Sequence, residues 1–191
     1  MSEKQPLSYN LKIVLLGDGF VGKTSLRRNF MGLKFETEYL ETLGADFAIK
    51  ASVYRDKAIF RYQIWDLAGQ PRFGNLRKGF YLGAQAALVL FSIADPKTKD
   101  SVLVWTEEFW KNSGKTKPIP VVIIGNKSDL RDTTDRPVSQ AEGLRLAEDL
   151  TKRVSFKIPY IETSAKTGDS INLAFDTLTE MFISYYNIKF G

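Results

Sequence analysis

The chain has 191 residues, of which 43% are hydrophobic, and 27 basic and 22 acidic residues give it a formal net charge of +5; this composition suits one globular domain over residues 1–191. It contains no cysteine and no histidine, which excludes disulfides, thiolate and imidazole metal ligands, cysteine lipidation and histidine-based acid–base catalysis. No apolar run is long enough to span a bilayer and no signal-peptide pattern is present, so we expect a cytoplasmic protein.

The first part of the chain is predicted to contain one strand and one helix. Residues 1–9 are polar and are expected to form a flexible lead-in to a strand over residues 11–17. A helix should follow, from within a glycine-rich segment to about Met31, with Gly32 as its stop signal. Residues 33–43 have no clean periodicity and are expected to form a loop.

Two strands come next and are predicted to pair antiparallel. They cover about residues 46–54 and 58–65. Residues 55–57 join them, which is the length of a hairpin connection.

The rest of the chain alternates between apolar strands and amphipathic helices. Dense apolar runs over 86–93 and 119–125 are typical of strands buried on both faces, and 157–163 is a weaker sixth strand. Apolar residues at helical spacing and a capping box formed by Ser139 and Glu142 predict helices among them. The pattern predicts an α/β fold in which a six-stranded, mostly parallel sheet has one antiparallel edge strand and helices on both faces. Its ligand crevice should lie at the carboxyl ends of the strands.

A glycine-rich segment directly follows the first strand, with the sequence Gly17-Asp18-Gly19-Phe20-Val21-Gly22-Lys23-Thr24. Glycines let the backbone curl so that successive amide NH groups point at phosphate oxygens. The lysine can then reach the outer phosphates, and the threonine hydroxyl can ligate magnesium. An ordinary glycine-rich helix cap is the alternative. The position between a strand and a helix favours a phosphate-binding loop.

Asp66 directly follows another strand, in the segment Asp66-Leu67-Ala68-Gly69-Gln70. It should lie at the carboxyl edge of the sheet beside the phosphate-binding loop, where a carboxylate behind the Thr24 hydroxyl suits a magnesium ion. An Asp-x-x-Gly segment can also be a simple turn. Its place after the phosphate-binding loop favours the metal site.

Two further segments leave the ends of strands toward the same crevice, Asn126-Lys127-Ser128-Asp129 and Glu162-Thr163-Ser164-Ala165-Lys166. Guanine offers two adjacent donors, N1 and the 2-amino group, which one carboxylate such as Asp129 can accept together. Adenine lacks the 2-amino group, and its N1 is an acceptor. Sites of this kind reject a mismatched ligand by about 10⁴ to 10⁵. Each segment alone would be an ordinary loop, but together they predict binding of GTP and GDP rather than ATP.

With these motifs in this order, the chain resembles the small GTPases of the Ras superfamily over about residues 11–185. It is most similar to the Rab branch, and the short connection over 130–139 leaves no room for the extra helix of Rho-type members. The segments that carry the Rab resemblance are Glu41-Thr42-Leu43-Gly44-Ala45-Asp46-Phe47, Trp65-Asp66-Leu67-Ala68-Gly69-Gln70, Arg72-Phe73 and Ile158-Pro159-Tyr160-Ile161-Glu162-Thr163. The resemblance implies a P-loop NTPase of the G-domain type. It also implies a molecular switch that hydrolyses GTP to GDP and phosphate with Mg²⁺.

The resemblance further implies roles for single residues. The magnesium ligands would be Thr24, Thr42 and Asp66. Gln70 would orient the attacking water, with Lys23 and Thr42 as the other catalytic residues, and the Gly69 amide would sense the terminal phosphate. Phe35 would lie against the guanine, Asn126 and Asp129 would recognise it, and the Lys127 stem would pack over it. The remaining nucleotide contacts would come from Ser25, Ser164, Ala165 and Lys166.

Three residues depart from the family's pattern. Phe20 stands where glycine or alanine is usual, Leu67 where threonine is common, and Pro71 where glutamate usually follows the glutamine. Pro71 fixes φ and removes one NH beside Gln70. An alternative function therefore stays open, namely a nucleotide-bound interaction module with little or no intrinsic GTPase activity. An adenine-nucleotide kinase is disfavoured because the base-binding segments fit guanine.

The resemblance also implies partners. Effectors, exchange factors and GTPase-activating proteins would bind the switch segments around residues 33–43 and 69–80. In Rab proteins the positions of Phe47, Trp65 and Phe80 form an aromatic patch that effectors bind, although core packing explains these residues equally well. We expect a monomer that binds no nucleic acid. Association with a membrane surface stays open, although the sequence contains no lipidation site.

Overall fold

A computed structural model describes residues 7–35 and 42–190, and these form a six-stranded sheet flanked by helices. The strands are β1 Leu7–Leu16, β2 Ala45–Tyr54, β3 Ala58–Leu67, β4 Ala86–Ser92, β5 Val121–Asn126 and β6 Tyr160–Thr163. Their order is β2-β3-β1-β4-β5-β6, and β2 pairs antiparallel with β3 while the other neighbours are parallel. The predicted mostly parallel sheet with one antiparallel edge strand is confirmed.

The helices pack on both faces of this sheet, as predicted. They are α1 Lys23–Phe30, α2 Gly74–Tyr81, α3 Pro96–Asp100, α4 Val102–Asn112, α5 Gln140–Thr151 and α6 Ile171–Tyr185. Successive residues of a strand point to opposite faces. In β1, Ile13 and Leu15 therefore belong to the core that includes α1 and α6. Val14 and Leu16 belong to the core that includes α2, α4 and α5.

Several predicted boundaries are wrong. β1 begins at Leu7, because Leu7 already pairs with Ala58, so the expected lead-in over 1–9 is too long. β6 begins at Tyr160 and not at 157, which places Pro159, a residue without an NH to donate, just outside the strand. Residues 1–6, and residues 36–41 of the predicted loop, lie outside the described residues.

Two helices were not predicted. The short α3 begins with the cap that its sequence offers, since the Asp95 side chain accepts a hydrogen bond from the Lys97 NH and proline stands at the first helical position. α2 lies in the segment that was predicted only as a switch. Of the helices in the described ranges, none combines the length and the apolar character needed to cross a membrane.

The parallel strands bring the motifs to one edge of the sheet. β1 ends immediately before the phosphate-binding loop, and β3, β5 and β6 end within the first residues of the three other motif segments. This is the edge at which open α/β sheets bind ligands.

Candidate functional site

A cavity of about 760 Å³ lies at this carboxyl edge. Its volume falls in the range of small-molecule sites. The predicted site residues that line it are Gly19, Phe20, Gly22, Lys23, Thr24, Ser25, Phe35, Thr42, Gly69, Gln70, Asn126, Lys127, Asp129, Ala165 and Lys166. The other predicted residues do not line it and belong to the adjoining turns and strands: Gly17, Asp18, Val21, Asp66 and Ser164.

The phosphate-binding loop holds a buried cation. Lys23 is 7% exposed, and its Nζ donates to the carbonyls of Gly17 at 2.8 Å and Asp18 at 2.7 Å. Burial lowers the pKa of Lys23 to about 8, although the charges of Asp66 and Asp18 oppose the effect. A partly desolvated ammonium beside a cavity favours an anionic ligand.

Thr24, Thr42 and Asp66 meet beside this lysine. The Thr24 hydroxyl donates to Asp66 Oδ2 at 2.5 Å and lies 3.0 Å from the Thr42 hydroxyl. Asp66 is fully buried, its Oδ1 atom has no hydrogen-bond partner among the described residues, and burial raises the pKa of its carboxyl group. One unpaired carboxylate oxygen beside two hydroxyls fits the oxygen ligands that Mg²⁺ prefers.

Arg27 contributes to this side of the cavity and was missed in the sequence. It forms an ion pair with Asp46, and its Nε lies 3.9 Å from Asp66 Oδ2. Its spacing was an available signal, because a residue four positions after Lys23 lies on the same face of the helix. Arg27 therefore adds a positive charge to the wall of the cavity beside Asp66.

Asn126 joins three motif segments. It is fully buried, and its Nδ2 donates to the Val21 carbonyl at 2.8 Å. Its Oδ1 accepts from the Thr163 hydroxyl at 3.0 Å and from the Ala165 NH at 3.1 Å. Both polar atoms of the amide are thus used within the protein, so Asn126 fixes the phosphate-binding loop against the segment after β6.

Asp129 also lines the cavity. The Ser164 hydroxyl donates to Asp129 Oδ1 at 2.6 Å, so Ser164 orients the carboxylate without lining the cavity itself. Lys127 lies beside it in a left-handed conformation with φ of 66°, and burial lowers the pKa of its amine. The geometry leaves Asp129 as the side chain best placed to accept hydrogen bonds from a ligand.

Gly69 and Gln70 lie against the phosphate-binding loop. A Cβ atom on Gly69 would approach the Asp18 carbonyl carbon to 2.4 Å, so only glycine fits this contact. The Gln70 Nε2 atom lies 3.7 Å from the place where a Gly19 Cβ would be, and its Oε1 is buried without a hydrogen-bond partner among the described residues. The Gln70 amide therefore lies over the loop with an unused acceptor.

Phe20 occupies the loop in a left-handed conformation with φ of 64°, and its side chain is 64% exposed. A residue with a Cβ is strained in this region by about 1 kcal/mol or more, whereas glycine is not. We therefore expect the Phe20→Gly variant to be more stable than Phe20→Ala by about 1 kcal/mol, because both lose the ring and only one keeps the strain. Urea unfolding of the two variants measures the difference. Equal stability would contradict the left-handed conformation.

Phe47, Trp65 and Phe80 form one continuous aromatic cluster. The ring centroids of Phe47 and Trp65 are 4.6 Å apart, and those of Trp65 and Phe80 are 5.1 Å apart. Phe47 is 41% exposed and the other two are half-buried. Core packing alone does not account for these three aromatic side chains, because the cluster reaches the surface.

Comparison with known proteins gives one consistent match. The chain matches the model of the Ras family over residues 12–184. It is 39% identical to the Ras-related protein RABG3d of Arabidopsis thaliana, and 38% identical to the Ras-related protein Rab7 of Pisum sativum. Each alignment covers 89% of this chain and 81% of the relative. The Ras-related protein Rab7A of Mesembryanthemum crystallinum is 39% identical over 89% of this chain and 80% of its own length. The family match spans every segment that lines the cavity.

Proposed function

The chain belongs to the Ras family and, within it, to the Rab branch, and from this premise we propose that the cavity at the carboxyl edge is its guanine-nucleotide site. Members of this family are small GTPases that bind GTP and hydrolyse it to GDP and phosphate, and the chain is such a GTPase. One observation carries the assignment of the site. A buried cation and an oriented carboxylate, Lys23 and Asp129, line one cavity, and Asp66, a buried carboxylate with an unpaired oxygen, lies behind its wall and accepts a hydrogen bond from Thr24.

The phosphates would lie in the loop from Gly17 to Thr24. The Lys23 ammonium would then exchange its carbonyl partners for phosphate oxygens, which offset its desolvation better. The residues that would hold Mg²⁺ are Thr24, Thr42 and Asp66. Mg²⁺ would neutralise charge on the phosphates when it is bound.

The base would lie between Phe35 and Lys127, with its N1 and 2-amino group donating to Asp129. Asn126 Nδ2 donates only one of its two hydrogens within the protein, so the second would remain for the base, and Asn126 and Asp129 would both contribute to selectivity for guanine. An adenine base would leave this carboxylate without donors in a site built for them.

Hydrolysis would depend on Gln70, whose amide orients the attacking water, while the Gly69 NH contacts the terminal phosphate. Positioning and charge neutralisation are the whole of the protein's contribution in this chemistry. Intrinsic turnover would be slow, and an arginine donated by an activating protein would raise it by about 10³ to 10⁵.

Loss of the terminal phosphate would release Thr42 and Gly69 and so change the switch segments that they belong to. The aromatic cluster of Phe47, Trp65 and Phe80 connects β2, β3 and α2 beside these segments, and exposed aromatic clusters are typical of binding surfaces. We assign it to effector binding. The chain would then act as a Rab-type regulator of membrane trafficking, in the cytoplasm and at membrane surfaces.

The purified chain should carry GDP or GTP, hydrolyse GTP in the presence of Mg²⁺, and release GDP faster when EDTA removes the metal. Chromatography of the extracted nucleotide, phosphate release and a fluorescent GDP analogue measure the three results. Lys23→Ala is the matched variant and should bind nucleotide at least about 10²-fold more weakly, because a buried charged contact to phosphate is lost. Displacement of GDP by ATP would contradict the assignment of the base site.

A further inference from the structure

Two buried side chains and one half-buried side chain connect the phosphate-binding loop to α2 behind the cavity. They are Asp18 in the loop, Trp105 in α4 and Arg77 in α2, none of which the proposed hydrolysis uses. Arg77 is 4% exposed and Trp105 is 7% exposed. Burial of a guanidinium is costly unless its donors are used, so its contacts indicate what it holds in place.

The Arg77 guanidinium is directed at the segment that carries Gln70. Its Nη1 donates to the Gln70 carbonyl at 2.8 Å and to the Ala68 carbonyl at 3.2 Å, and these carbonyls lie on either side of Gly69. One side chain of α2 thus fixes the backbone of three successive residues, two of which are the proposed water-orienting glutamine and phosphate-sensing glycine.

Trp105 fixes the other side of Arg77. The guanidinium carbon lies 4.4 Å from the centroid of the indole ring, and the indole Nε1 donates to Asp18 Oδ1 at 2.7 Å. The stacking and the hydrogen bond together join α2 to the loop that would hold the phosphates. Asp18 and Gly69 are also in close contact through the backbone, so the connected residues enclose the place where hydrolysis would occur.

A purely structural role is the alternative. Arg77 Nε lies 3.6 Å from Glu108 Oε1, and Tyr81 also donates to that carboxylate, so the guanidinium has a countercharge in the core. That ion pair accounts for one edge of the guanidinium only. The donor that faces the cavity segment contacts two carbonyls instead of a charge, which is the geometry of a group that positions backbone.

We propose that Arg77 is a positioning residue for GTP hydrolysis: it holds Gln70 over the phosphate-binding loop, and it is itself held by Trp105, whose indole NH is bonded to Asp18. The inference rests on the proposed function, because it assigns Arg77 to the reaction of Gln70. In this proposal Arg77 affects only the rate of hydrolysis, whereas other residues bind the nucleotide.

Single-turnover hydrolysis of bound GTP tests the role of Arg77. Arg77→Ala should hydrolyse GTP at least about tenfold more slowly, since a small displacement of a positioned group is costly in rate. The affinity for GDP should stay within about threefold, because no nucleotide contact is removed. The hydrolysis rate of Arg77→Lys, which keeps the charge beside Glu108 but lacks the planar fork, should fall between those of Arg77→Ala and the wild type.

Trp105→Phe keeps an aromatic ring but loses the Asp18 hydrogen bond, and its loss of hydrolysis rate should be smaller than that of Arg77→Ala. Lys111→Ala removes an exposed cation of α4, the helix that carries Trp105, and is the matched control, with wild-type hydrolysis expected.

A double-mutant cycle separates positioning from general destabilisation. If Arg77 acts through Gln70, Arg77→Ala should cause no further loss of rate in a Gln70→Leu background. Equal losses in both backgrounds, or an Arg77→Lys rate within about twofold of the wild type, would overturn the proposal. If Gln70→Leu slows GTP hydrolysis but Arg77→Ala does not, the role of Arg77 is overturned and the proposed function stays intact. A wild type without hydrolysis would overturn both.

Discussion

The Asp129→Asn variant is expected to lose its preference for guanine and to gain one for xanthine. The carboxylate would accept from both N1 and the 2-amino group of guanine, whereas an asparagine amide would place a donor against a donor. The affinity for GDP should fall by up to about 10⁴, the scale on which a site built around a hydrogen-bond pattern rejects a mismatched ligand. Xanthine carries an oxygen at position 2, so its N1 donor and O2 acceptor match the oxygen and the NH₂ group of asparagine.

Competition binding of GDP, xanthosine diphosphate and ADP against a fluorescent GDP analogue measures this exchange. The Ser164 hydroxyl, 2.6 Å from Asp129 Oδ1, can still donate to an amide oxygen, so the new side chain should keep its orientation. Asp132→Asn is the control, because it makes the same chemical change at an exposed carboxylate of the same 3₁₀ helix, Ser128–Thr133. Unchanged GDP affinity in Asp129→Asn would exclude Asp129 from base recognition.

The features that could be predicted from the sequence are local ones. The apolar runs predicted over 86–93 and 119–125 correspond closely to β4, Ala86–Ser92, and β5, Val121–Asn126, because strands buried on both faces need an unbroken apolar sequence. The phosphate-binding loop needs its glycines, lysine and threonine within eight neighbouring positions. Once the strands are parallel, the topology alone brings the motifs that follow them to one edge.

The features that could not be predicted depend on contacts between distant parts of the chain. Trp105 shares a helical spacing with Val102 and Phe109, which predicts a helix face packed in the core. It is indeed buried, but its indole NH reaches Asp18, 87 residues away in sequence. Asn126 was expected to recognise the base, and nothing in the sequence indicates that Val21, Thr163 and Ala165 engage its amide. α2 was missed because Gly74 and Gly79 weaken its helical propensity, so packing and the contacts of Arg77 stabilise it instead.

The Gln70→Leu variant is expected to bind GTP and GDP as the wild type does and to hydrolyse GTP about 10²-fold more slowly, the cost of losing a group that positions a reactant. Leucine has nearly the same volume but cannot accept or donate a hydrogen bond, and the Gln70 Oε1 atom is already buried without a partner among the described residues. That unused acceptor has a function only if a water or ligand atom binds to it. Single-turnover phosphate release after loading with GTP and Mg²⁺ measures the rate, and a fluorescent GDP analogue measures binding.

Gln140→Leu makes the same change at an exposed position of α5 and should leave both quantities unchanged. Equal rates for Gln70→Leu and the wild type would remove Gln70 from the reaction.

Phosphate release by the wild type also separates the two functions that the sequence left open. A wild type that binds GTP but releases no phosphate, alone or with an activating protein, would be a nucleotide-bound interaction module. The contacts favour hydrolysis, because Gln70 lies over Gly19, and Gly69 fits against Asp18 only as a glycine. A chain that only held nucleotide would need neither the glutamine over the loop nor the arginine of α2 that fixes its backbone.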